Sequence, residues 1–117
     1  MKVDMRIHPP IRDQVHAGLS ALRVQGRQIW GDEFRQSLPE ITIRMIVGIG
    51  DIARVARDSS RSDAYEEEER IRQVKKELGN ILFSTIRWID DLGLDVLECL
   101  DLAIEAQEKF AGSGRPR

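Results

Sequence analysis

Between residues 71 and 92 the side chains Ile71, Val74, Leu78, Ile81, Thr85, Ile89 and Leu92 recur at intervals of three and four. That spacing puts them on one face of an α-helix, and a strand, whose side chains alternate with period two, would scatter them over both faces. The chain is therefore committed to a long helix, and any fold it adopts has to be built around it. Asp63 and Glu66 stand at capping-box spacing before the stripe, and Gly93 supplies a stop after Leu92. This third helical segment is expected to run from about 63 to 92.

The other segments repeat the pattern with their own punctuation. Pro9-Pro10 pre-sets the backbone for a helix start, and Ile11, Val15, Leu19, Leu22 and Ile29 follow on one face, predicting a first helix over about 11–29 that runs out at Trp30-Gly31-Asp32. In Ser37-Leu38-Pro39-Glu40 a Ser N-cap is followed three residues later by Glu, and proline is tolerated in the first turn. A second helix is expected from there to the polar stretch 59–62, with Met45, Ile49, Ile52 and Ala56 facing inward. Asp95 with Glu98 opens a fourth helix, whose Leu97, Leu100 and Ile104 face inward until Gly112. Only Ile41-Thr42-Ile43 hints at a strand, and the capping box claims it for a helix. The fold class is all-α, a four-helix bundle.

At 117 residues and 41% hydrophobic content the chain holds one core, so residues 1–117 are read as a single domain with its core over about 11–111 and a disordered tail over 112–117. A net charge of −2 gives no general nucleic-acid footprint, and any anionic ligand has to be held locally. No apolar run approaches the length of a membrane span and no signal-peptide core follows Met1, so a cytoplasmic protein is expected with no membrane partner. Cys99 is the one cysteine; between Leu97 and Leu100 it reads as a core thiol. Helix two carries Ile46 and Ala53 beside its main stripe, and helix three carries Leu82 and Trp88. Such apolar width exceeds what one partner helix covers, which predicts a homo-oligomer, a dimer or tetramer, that completes the core.

One constellation can carry chemistry. Helix three reads Glu77-Leu78-Gly79-Asn80-Ile81-Leu82-Phe83, and then Trp88-Ile89-Asp90-Asp91-Leu92-Gly93-Leu94-Asp95; helix two reads Gly48-Ile49-Gly50-Asp51. At about 100° per residue, Gly48 and Asp51 flank the stripe of helix two and Glu77 and Asn80 flank that of helix three. Oxygen ligands one turn apart on facing helices suit a hard ion. Over roughly residues 20–110 these motifs resemble the MazG-like nucleotide pyrophosphohydrolases, which carry E-x-x-E on one helix and E-x-x-D, often as Glu-Leu-Gly-Asp, on the next.

The resemblance implies a MazG-like bundle and a Mg²⁺-dependent hydrolase that splits a nucleoside triphosphate into monophosphate and pyrophosphate. It implies Asp51, Glu77 and Asn80 as metal ligands, with Asp51 and Glu77 catalytic. It also implies Lys109 near the substrate phosphates, in a C-terminal element that otherwise departs from the family's basic pattern. Gly48 has no side chain where the family has Glu, and Asn80 is neutral where it has Asp, so four charges have become two. The alternative reading is an inactive homologue that survives as an oligomeric nucleotide-binding or regulatory module. Trp30 and Phe34 lie where aromatic residues stack on a base in related enzymes, against a simpler reading as packing residues. Arg44 and Arg54 on helix two favour an anion. His8 and His16 lack a second ligand at metal spacing, the acidic run 66–69 reads as a solvated face, and Asp90, Asp91 and Asp95 lie near helix ends. Asp101 and Glu105 on helix four, or an acidic residue of a second subunit, are the remaining candidates to complete a depleted metal site, and the sequence alone does not place them.

Overall fold

In a computed structural model that describes residues 9–59 and 64–113, four helices follow one another: α1 (Pro9–Trp30), α2 (Leu38–Ser59), α3 (Ala64–Asp91) and α4 (Val96–Gly112). Among the described residues there is no strand, and Ile41-Thr42-Ile43 lies inside α2. No helix is long and apolar enough to cross a membrane among those residues. His8, the capping box expected at Asp63, and the tail over 114–117 lie outside the described residues.

The helix ends follow the punctuation. Gly31 (φ 89°) and Gly93 (φ 71°) take the left-handed conformation just past α1 and α3. After α3 the Gly93 N–H donates to Asp90 O and the Leu94 N–H to Ile89 O, both at 3.0 Å, which is the Schellman arrangement that satisfies the last carbonyls. Asp95 caps α4 by accepting from the Leu97 N–H at 3.2 Å. At α2, Glu40 reaches back to the Ser37 N–H at 3.2 Å as its spacing predicts. The Ser37 hydroxyl does not accept from the helix; it donates to the same Glu40 oxygen at 2.8 Å.

The long helix α3 is the hub, against which α1, α2 and α4 each pack. The arrangement is a flat layer, 49 × 45 × 29 Å, with a radius of gyration of 17.3 Å where a compact domain of this length has about 13 Å. Its enclosed core is small: Ile41, Ile86, Trp88 and Leu97 are the buried hydrophobic residues. Cys99 is half-buried rather than enclosed.

On α2 the expected inward stripe is corrected. Met45 and Ile49 are exposed, as is Ala56, and the face turned to α3 is instead Ile41, Gly48, Ile52 and Val55. At 100° per residue this is a rotation of roughly 60°. Gly48 explains it: a Cβ there would stand 3.3 Å from Ile81 Cγ1, so the missing side chain lets α2 close on α3 along that line. The displaced apolar edge, with Met45, Ile46 and Ile49, faces outward, and Ile43 and, on α3, Leu78 and Leu82 are exposed as well. Trp88, expected on the surplus apolar face, is instead 5% exposed within the chain.

Candidate functional site

A cleft of about 570 Å³ opens between α2, α3 and the connection before α2. Gly48 and Asp51 line it from α2, Glu77 and Asn80 from α3, so the four positions singled out by spacing share one cavity. Arg44 and Trp30 line it too, with Phe34, Gln36, Ser84, Arg87 and Trp88. Lys109 does not; it is exposed on the last turn of α4.

The acidic end is sparse. Glu77 is buried, and its ion-pair contact there is Lys76 Nζ, 3.6 Å from Oε1. Asp51 is partly exposed and accepts from Arg54 Nη2, one turn along the same helix, at 3.2 Å. Arg54 is thereby a partner of Asp51 and does not line the cleft. Among the described residues no group of three or more His, Cys, Asp or Glu side chains stands close enough to hold a metal. Asp101 does not supply the missing charge, because Arg12 of α1 grips both its oxygens at 2.9 and 3.0 Å, and Glu105 is exposed on α4.

The opposite end is basic and aromatic. Arg87 lies over the Trp30 ring, 4.8 Å from its centroid. Loss of hydration holds the Arg87 guanidinium below its ordinary pKa; Asp91 opposes this, and Arg27 and Arg44 add repulsion. Trp30 and Phe34 are 66% and 63% exposed, so neither serves the core of this chain. Three buried polar atoms have no hydrogen-bond partner among the described residues: Gln36 Oε1, Arg87 Nε and Trp88 Nε1. All three belong to residues of this cleft. Spacing alone missed Gln36, Arg87 and Trp88. Gln36 lies on no helix, and the indole of Trp88 counts as apolar in any periodicity.

The connection that carries Phe34 and Gln36 is pinned by an ion-pair cage. Arg27, 10% exposed, donates to Asp90 Oδ2 at 2.8 Å and to Asp91 Oδ1, and also to the Phe34 carbonyl at 3.4 Å. Desolvation lowers the Arg27 pKa, yet the hydrogen bonds to Asp91 and Asp90 outweigh it and leave the group above its ordinary value. Asp91 Oδ2 accepts from the Gln36 N–H at 3.2 Å, and Arg35 donates to the Asp90 carbonyl at 2.9 Å. Asp90 and Asp91 therefore neutralise arginines rather than forming a cation cluster with Asp95. No known protein family, curated protein or solved structure matches the chain.

Proposed function

We propose that the α2–α3 cleft is the nucleotide site of a MazG-like pyrophosphohydrolase, which converts a nucleoside triphosphate to monophosphate and pyrophosphate with Mg²⁺. The observation that carries this reading is the shared cavity: Gly48 and Asp51 meet Glu77 and Asn80 across one cleft whose other end holds Arg44 and Trp30. Its volume of about 570 Å³ lies within the range of small-molecule sites.

Asp51, Glu77 and the Asn80 amide oxygen make an oxygen-only donor set, which fits Mg²⁺, an ion that keeps several waters and needs few protein ligands. Bound there, Mg²⁺ supplies charge neutralisation for the phosphates and a more acidic water. The residues of the chain do the rest. Buried Glu77 gives a carboxylate in reduced dielectric, Arg44 offers positive charge to phosphate oxygens, and Trp30 presents an exposed ring to a base. The apolar edge of α2 and α3 supports a homo-oligomer that covers Ile46, Ile49 and Leu82, each about two-thirds exposed in the single chain.

A second reading, an oligomeric nucleotide-binding module without hydrolysis, is favoured by Gly48, since no rotamer change restores a missing carboxylate. A Mg²⁺-dependent assay of pyrophosphate release over ordinary and damaged nucleoside triphosphates separates the two. Release that needs Mg²⁺ and is lost in Glu77→Gln supports the hydrolase. Nucleotide binding without release supports the module, and absence of both rejects the site.

A further inference from the structure

We infer that Gln36, Arg87 and Trp88 form a base-reading edge at the inner wall of the cleft, and that this edge takes a pyrimidine. The inference rests on the nucleotide reading above and adds the residues and the base class to it. Buried polar atoms in folded proteins are paired almost without exception, so an unpaired one calls for a specific explanation. Here three occur among the described residues, and all three lie on residues of the same cleft. Trp88 is the most telling, because at 5% exposure its Nε1–H has no access to bulk solvent.

Their chemistry selects the ligand. The indole Nε1–H and the guanidinium Nε–H can only donate, and the amide Oε1 can only accept. The edge therefore asks for a planar partner with two acceptors and one donor. Uracil offers two carbonyl oxygens and one N–H on its pairing edge; cytosine offers a carbonyl oxygen, a ring nitrogen and an amino group. On the same pairing edge guanine presents one acceptor and two donors, and adenine one of each, so a purine held by that edge leaves at least one of the three atoms unpaired. Leaving buried groups unpaired is the way a polar pocket rejects a wrong ligand. The geometry around the trio agrees with a fixed recognition edge. Arg87 is held against the Trp30 ring, and Gln36 is anchored through its backbone N–H on Asp91. Neither anchor uses the unpaired atoms.

The test is equilibrium titration of the full chain with uridine, cytidine, adenosine and guanosine monophosphates, repeated with Trp88→Phe and Gln36→Leu. Trp88→Phe keeps an aromatic ring and removes the donor; Gln36→Leu lies outside the helices and removes the acceptor with little change of volume. The expected result is that the pyrimidine nucleotides bind at least about tenfold tighter than the purine ones, and that each variant loses about tenfold for pyrimidines while purine affinity stays as it was. A melting curve on each variant reports folding, and Gln36→Leu decides alone if Trp88→Phe does not fold. Equal affinity for all four bases, or a preference that survives both substitutions, overturns the base-reading edge and leaves the nucleotide site standing. Binding of none of the four at millimolar concentration overturns both.

Discussion

The two ends of the cleft are built by different means. At the acidic end, Asp51 and Glu77 meet basic side chains of their own helices, Arg54 and Lys76, and among the described residues no ion pair to another element fixes their positions. At the basic end, Arg27, Arg35, Asp90 and Asp91 tie α1, the connection and α3 together, and so anchor the segment whose Phe34 and Gln36 line the cleft along with Arg87 and Trp88. Local contacts within one helix resist little motion, whereas a cage across three elements fixes a wall. The difference teaches that the basic, aromatic end is the more fully constructed half of the cleft; under the proposed function that end reads the ligand and the sparser end carries the chemistry.

The largest expected effect comes from breaking the cage. Asp91, with 2% of its side chain exposed, is the innermost carboxylate of the network. Removing one partner of a buried pair strands the other charge, so Asp91→Ala should cost about 3 kcal/mol in denaturant unfolding. It should also weaken nucleotide binding through the freed connection. Loss of stability below about 1 kcal/mol would mean that the cage is a surface feature and the contrast with the acidic end is false.

The apolar edge comes next. Ile46→Asp with Ile49→Asp places charge on side chains that are each 64% exposed in the single chain. The expected outcome is conversion of an oligomer to a 13.4 kDa monomer by light scattering. A parent chain already monomeric at micromolar concentration would instead show that this edge has no partner copy.

Two glycines of α2 give a smaller, directional test. A Cβ at Gly50 meets nothing within 4 Å, so Gly50→Ala should stabilise by up to about 1 kcal/mol from helix propensity alone. At Gly48 the same gain is opposed by the 3.3 Å approach to Ile81 Cγ1, and Gly48→Ala should leave the midpoint nearly unchanged. Equal gains at both positions would remove Gly48 as the reason that α2 turns its apolar edge outward.

The smallest effect is a pH dependence. The Ser37 hydroxyl, then the Ser37 N–H, hold the exposed Glu40 carboxylate below its ordinary value of 4.5, with Arg44 adding attraction. A lowered folded-state pKa contributes stability that is present above the unfolded value and lost as the pH falls through the folded one. Glu40→Gln should therefore flatten the unfolding midpoint below pH 4.5 and leave the Asp91 effect untouched.

What could be read in advance follows from what periodicity encodes. The stripe of α3, the stops at Gly31 and Gly93, the reach of Glu40 back to the Ser37 N–H and the cap at Asp95 are local physics, and the helices end where those residues stand. Helical angle made legible the pairs Gly48 with Asp51 and Glu77 with Asn80, each on a flank of its own helix, and the packing of α2 on α3 brings the two pairs to one cleft. The rotation of α2 was not, because apolar counting gives a glycine no weight although its absent side chain decides the closest approach. Trp88, counted with Leu82 as surplus apolar surface, turned out to bury an unpaired N–H, and Asp90 and Asp91 turned out to be arginine partners. Those outcomes depend on contacts between residues some 55 to 64 positions apart, which no local pattern records.

Whether the four facing positions form one ion site is the central claim, and thermal melting with and without Mg²⁺ tests it most directly. The parent chain, Asn80→Asp, and Asn80→Asp with Gly48→Glu are compared; the single variant guards against a seam disturbed at Ile81. Ligands of one ion are coupled, and a tenfold gain in affinity adds about 1.4 kcal/mol at saturation, or several degrees in a domain of this size. Mg²⁺ is expected to raise the melting temperature of Asn80→Asp by more than that of the parent, and that of the double variant by more still. An equal Mg²⁺ shift in all three proteins, or none in any, would contradict a shared site for Gly48, Asp51, Glu77 and Asn80.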